Sequence, residues 1–136
     1  MPKMVLTAEY VALNGTDLSD YCRKAELSTE VEEKDVTTYA SNGWKELLGG
    51  IKSGELGLEF LQDVAASALD SIMWPLFGTV VTFEVRLDNS AVGTSNPKYT
   101  GSVLIKSWNP IEGSVGDEAK VSVSYPTSGA VTRATA

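Results

Sequence analysis

At 136 residues and a formal net charge of −7, the chain has the size of one domain and the wrong sign to grip nucleic acid through phosphate contacts. It contains no histidine and a single cysteine, Cys22, which excludes Ser-His-Asp and Cys-His nucleophile arrangements, a zinc cluster and any internal disulfide. Hydrophobic residues make up 43% and charged residues 21%, so one domain over residues 1–136 is expected to bury enough core to need no staples.

Residues 5–13 mix apolar and polar side chains and end at Asn14-Gly15, a strong hairpin-turn signal, which predicts a first strand after a few loose residues. The opening residues lack the apolar core and cleavage site of a signal peptide, so the Asn14-Gly15-Thr16 sequon reads as a turn. Residues 16–21 are polar and turn-like. From 22 to 32, Ala25, Leu27, Thr29 and Val31 alternate with Glu26, Ser28, Glu30 and Glu32, a strand with one dry and one acidic face.

Residues 33–54 break that pattern. They hold four glycines, and their one candidate element is a helical turn or two at 44–48. A connection of roughly twenty residues without structure is rare inside a compact domain. It also carries Tyr39, Trp44, Leu47, Leu48 and Ile51, which a solvated linker would lack. Two readings are open: the loop folds back over its own core, or it docks on another surface.

The centre of the chain changes period twice. Leu56, Leu58 and Phe60 alternate with Glu55 and Glu59, and Val81, Phe83, Val85 and Leu87 alternate with Thr82, Glu84, Arg86 and Asp88. Between them Ala65, Ala68, Leu69, Ile72, Met73 and Leu76 fall at helical spacing, with Asp63 placed as an N-cap and Pro75 and Gly78 ending the run. Trp74 is expected in the core. The uncharged run 71–83 is too short, and too broken, to cross a bilayer.

Residues 98–108 predict a strand with Tyr99, Val103 and Ile105 on one face and Leu104 and Trp108 on the other, stopped by Asn109-Pro110. Residues 119–125 alternate again, and the segment after Pro126 is either a last edge strand or an arm. The expected fold is mainly β: a two-layer antiparallel β-sandwich with one flanking α-helix over about 63–77 and a long loop over about 33–54.

Chemistry-bearing motifs are missing. No Walker loop or GxGxxG opens a helix, and the acidic run Glu30, Glu32, Glu33, Asp35 lacks the spacing of a calcium loop and reads as a solvated strand end. Cys22 reads as a small residue in or near the core. No catalytic residue, metal or cofactor is assigned, and no enzyme is expected. One class of function left by this reading is a monomeric β-sandwich binding or adhesion module for carbohydrate or a cell surface, with Trp44, Tyr99 and Trp108 as its aromatic patch.

The order LNGTDLSDY, EVEEKDVTTYASNGWKELLGGIKSGELGLEF, the helix, then NPKYTGSVLIKSWNPIEGSVGDEAKVSVSYPTSGAVTRAT resembles the major tail protein, or tail tube protein, of long-tailed non-contractile bacteriophages. The resemblance covers nearly the whole chain. It implies a virion protein assembled in the host bacterial cytoplasm, whose hexameric rings stack into the tail tube. It implies self as the main partner, with the tape-measure protein and the tail chaperone during assembly, and double-stranded DNA passing without specific binding. The long loop would tie ring to ring through Asp35, Tyr39, Trp44, Leu47, Leu48 and Ile51, helped by arms at 1–7 and 126–136. A lumen of the same sign as DNA would let it slide, and Glu26, Glu30, Glu32, Glu55, Glu59, Glu84 and Asp88 are the candidates to line it.

Overall fold

Two antiparallel sheets face each other across one hydrophobic core in the computed structural model, which describes residues 3–136. The sheet strands are β1 (Tyr10–Leu13), β2 (Thr16–Asp17), β3 (Cys22–Asp35), β4 (Leu47–Leu61), β5 (Val80–Arg86), β6 (Lys98–Leu104), β7 (Lys120–Pro126) and β8 (Thr132–Ala134). The larger sheet has the order β2-β1-β5-β6-β8 and the smaller β3-β4-β7. The mainly β, two-layer sandwich expected from alternation is therefore the observed fold.

Period-two patterning places the core. Leu56, Leu58 and Phe60 of β4 and Val121, Val123 and Tyr125 of β7 are buried from the smaller sheet, and Val81, Phe83 and Val85 of β5 are buried from the larger. The β4 and β7 triads sit side by side, Leu56 opposite Tyr125 and Phe60 opposite Val121. Burial raises the Tyr125 phenol pKa, and its hydroxyl donates to the Ser107 carbonyl at 2.8 Å. Asn14 and Gly15 take φ of 53° and 77°, the left-handed pair that a two-residue β1–β2 turn needs.

Several expectations are corrected. The helix is shorter than 63–77: α1 spans Leu69–Met73, and a 3-10 turn at Trp74–Leu76 follows it. Asp63 is not its N-cap, which is Ala68; the Asp63 carboxylate instead accepts the Ala65 N–H at 3.0 Å, and Ser67 turns left-handed at φ 61°. A short side chain that bonds to nearby backbone competes with helix in this way. Trp74 lies outside the core, because Pro75 tightens the turn beside it. Trp108 fills the core there, its ring centroid 6.3 Å from that of Phe60 and its indole N–H donating to Asp70 at 3.0 Å. Strand β6 stops at Leu104, so Trp108 reaches the core from the irregular segment beyond. The first strand starts only at Tyr10, and Leu87 is exposed at the open rim of the sandwich.

Of the two readings left for the C-terminal segment, the structure has an edge strand over Thr132–Ala134, paired to β6. The crossing to it is tight. A Cβ at Gly101 would come within 2.9 Å of the Phe83 ring and 3.1 Å of the Ala130 carbonyl. Met1 and Pro2, part of the expected N-terminal arm, lie outside the described residues, and 3–7 are exposed without secondary structure.

Burial predicts a contrast within one strand. Leu56→Ala should cost the subunit about 2–5 kcal/mol in urea unfolding, and Leu48→Ala, on the exposed part of the same strand, under about 0.5 kcal/mol. Equal costs would contradict this placement of the core.

Candidate functional site

The unusual feature is a mismatch of strand lengths. β3 and β4 pair along their whole length, from Cys22 opposite Phe60 to Asp35 opposite Leu47. β7 covers β4 only between Leu61 and Glu55, and Thr127 closes the ladder by donating to the Gly54 carbonyl at 3.0 Å. From 30 to 53 the hairpin therefore leaves the sandwich as a two-stranded ribbon. The expected loop over 33–54 is mostly strand, and the connection proper is 36–46. The helical turn expected at 44–48 is absent; a 3-10 turn forms at Tyr39–Ser41, while Leu47 and Leu48 belong to β4.

Local chemistry explains why the alternation failed to show this. The register shifts between Val31 and Glu33, so that Gly50 and Ile51 of β4 both lie across from Glu32, a β-bulge. The Glu32 carboxylate accepts the Ile51 N–H at 3.3 Å and pairs with Lys34 at 3.2 Å. A Cβ at Gly49 would press on Val31 at 3.2 Å and one at Gly50 on Glu32 at 3.1 Å, so glycines let the strands close at the bulge. The tip is also built. Asp35 accepts the Thr37 N–H at 2.9 Å, and hydrogen bonds from the Thr37 side chain and backbone hold its carboxyl below the usual range. Thr37 Oγ1 accepts the Glu46 N–H at 2.8 Å, and the chain reverses at Asn42 and Gly43, with φ of 54° and 83°.

All six residues expected to tie subunits together lie on this ribbon. Tyr39 and Trp44 sit in the connection, Trp44 79% exposed. Leu47, Leu48 and Ile51 are exposed on β4, and Asp35 ends β3. Folding back over the subunit's own core is thus not what the ribbon does.

The acidic candidates are divided between the two sheets. The outer face of the smaller sheet carries Glu26 and Glu30 from β3 and Glu55 and Glu59 from β4, beside Ser122 and Ser124 of β7. Glu59 lies 3.4 Å from Arg23, and Glu55 accepts a hydrogen bond from Ser124. Glu32 continues this row onto the ribbon. Glu84 and Asp88 are elsewhere. Glu84 projects from the outer face of the larger sheet, where Arg86 Nε lies 3.0 Å away, off the N–H axis, and the Arg86 guanidinium sits 4.0 Å from the Tyr10 ring centroid. Asp88 accepts the Ser90 hydroxyl at 2.8 Å in the β5–β6 connection.

The aromatic patch needed by a binding module is not assembled. Trp108 is buried, Trp44 is at the ribbon tip, and Tyr99 lines a cleft of about 380 Å³ between the sheets with Leu27, Val85 and Val131. Glu9 borders that cleft, its pKa raised by burial. Cys22 is half-buried, and burial, ahead of the neighbouring carboxylates, pushes its thiol up to about 11, so it stays protonated and unreactive at neutral pH. One surface escaped the sequence reading. Trp74 and Phe77 form an exposed aromatic pair, and Val80 and Leu104, paired across β5 and β6, are exposed as well; Pro75 beside Trp74 is the signal of this in the sequence.

The geometry is that of a β-sandwich without an assembled catalytic or ligand site among the described residues, carrying an exposed ribbon with apolar residues on it. The sequence profile described as phage tail tube protein matches residues 21–133, and the chain belongs to that family. It is a structural protein of a phage-like tail. Among solved structures it is similar to a chain of the virion of a native gene transfer agent particle, at 26% identity and TM-score 0.67 over 83% of this chain and 84% of that one. It shares its fold with a chain in the tail of an empty gene transfer agent particle, determined by helical refinement with C6 symmetry, at 24% identity and TM-score 0.65 over 82% and 81% of the two chains. No curated protein sequence matches it.

If the ribbon contributes nothing to its own sandwich, it can be removed. Val31 and Lys52 are paired, so replacing 32–51 by Asn-Gly should close a short hairpin and leave the melting temperature within about 5 °C of the parent. A large drop would show that the ribbon supports its own subunit.

Proposed function

We propose that copies of this chain close side by side into hexameric rings, that the rings stack through the ribbons into a tube, and that the tube's acidic lumen passes double-stranded DNA. The observation that carries this reading is the ribbon over 30–53, with apolar residues on it that its own domain leaves uncovered. The C6 symmetry of the gene transfer agent tail, which contains a chain of the same fold, supports sixfold closure.

The edges of the smaller sheet give the ring its joint. β3 and β7 are both edge strands, each with one row of unpaired backbone groups. An exposed edge pairs readily with another strand, and a closed ring leaves none. Joining β3 of one copy to β7 of the next extends the smaller sheet into a barrel whose lumen is the face carrying Glu26, Glu30, Glu55 and Glu59. Small neighbours there, Ser122, Ser124 and Gly57, keep the wall low. Duplex DNA carries about one negative charge per 1.7 Å of axis, so a wall of like sign repels it instead of gripping it. Glu84, on the other sheet, and Asp88, in the β5–β6 connection, then lie away from that wall. Residues 3–7 act as an arm, and the tape-measure protein, the tail chaperone and assembly in a host bacterial cytoplasm belong to the same reading.

Electron microscopy of the purified protein at rising concentration should show rings and then hollow tubes; a monomer that persists at high concentration overturns the proposal. The lumen has its own test. The double variant Glu26→Lys, Glu55→Lys should still form tubes, but these should retain duplex DNA at low salt and release it at high salt. Parent tubes that retain DNA equally well would contradict an acidic lumen.

A further inference from the structure

Stacking needs two different surfaces, one at each end of the subunit, because a head-to-tail contact joins unlike patches. The ribbon tip is one. The other follows from the path of the chain. β4 runs 15 residues from Leu47 at the tip to Leu61 at the base, roughly 50 Å at about 3.3 Å per residue. α1 is held at that base. The Gln62 N–H donates to the Ala119 carbonyl at 2.9 Å, the Asp70 N–H to the Asp63 carbonyl at 3.1 Å, and Trp108 joins Phe60 to Asp70.

The chain leaves α1 directly into the exposed group. Trp74 is 58% and Phe77 48% exposed, with ring centroids 6.0 Å apart. Val80 and Leu104, cross-strand partners on the outer face of the larger sheet, are exposed where β5 begins, three residues after Phe77. Scaled by side-chain size, these four residues present roughly 400 Å² of surface, and Tyr39, Trp44, Leu47 and Leu48 at the tip roughly 600 Å². The tip offers about three-quarters, and the Trp74 group about half, of the ~800 Å² that each partner contributes to a standard interface, and aromatic anchors are what such interfaces use. Two of the ribbon's carboxylates are paired, Glu32 with Lys34 at 3.2 Å and Glu33 with Lys45 at 3.4 Å, and Asp35 is held by the Thr37 N–H.

We infer that the ribbon tip of one copy docks on the Trp74 and Phe77 group of the next copy along the stack. The inference rests on the stacked-tube reading and names its contact. The other apolar hollow, the cleft between the sheets, is a poorer acceptor. It adjoins the root of the subunit's own ribbon, since a hollow sharing its Thr29, Tyr99 and Val131 is also lined by Val31, Lys52 and Ser53.

Cross-linking tests the contact. In a Cys22→Ser background, copies carrying Lys45→Cys are mixed with copies carrying Thr79→Cys, allowed to form tubes and treated with a short bismaleimide. A covalent dimer is expected. Lys45→Cys mixed with Thr29→Cys, in the cleft, should give none. Separately, Trp74→Glu should melt like the parent yet need at least tenfold higher concentration to elongate. Tubes that link 45 to 29 and not to 79, or a Trp74→Glu variant that elongates normally, overturn the docking and leave the tube reading standing. Parent protein that forms no tubes overturns both.

Discussion

β4 is twice as long as the strand that covers it: its 15 residues meet a seven-residue β7. Everything unusual about the molecule follows from that difference. Where β7 covers β4, the alternating residues bury into a core with Leu56, Leu58 and Phe60 at its centre. Beyond Gly54 no third strand pairs with the hairpin, and past its root, where Val31 and Lys52 share a hollow with Tyr99 and Val131, it is a lone two-stranded ribbon, which is marginal in water. Its apolar residues gain nothing by burial within the subunit, so their stabilising effect is available only to a contact made with another chain.

The same asymmetry arranges the electrostatics. The smaller sheet is apolar on its inner face and polar on its outer one, where Glu26, Glu30, Glu55 and Glu59 are joined toward the base by Lys24 and Lys120. The larger sheet follows another rule. Its carboxylate Glu84 is held by Arg86, and the strand ends carry apolar groups. In the proposed tube, one subunit would thus contribute a charged wall, two bare edges and two apolar ends.

Much of this was legible in the residues. Alternation at 55–60, 81–85 and 121–125 gave strands and inward faces correctly, and Asn14-Gly15 gave the first turn. The ribbon was harder to read. Its bulge at Gly50 and Ile51 breaks the period, and its side chains are apolar on exposed strands, so neither face reads as buried. The surplus of aromatic and aliphatic residues there marked the segment as unlike a solvated linker, and the structure leaves Tyr39, Trp44, Leu47, Leu48 and Ile51 exposed. Trp74 was misplaced for a related reason. Helical spacing continued through it, but helical geometry did not, because Ser67 and Pro75 confine α1 to five residues. The division of the acidic candidates between two sheets needed strand order, which alternation alone does not carry.

Amide hydrogen exchange on the free subunit and on the assembled tube tests the central claim most directly. The ribbon amides over 30–53 should exchange rapidly in the free subunit, while those of β4 over 56–60 are protected, and assembly should slow the ribbon by at least about a hundredfold. A ribbon already as protected in the free subunit as the core of β4, and unchanged on assembly, would contradict it.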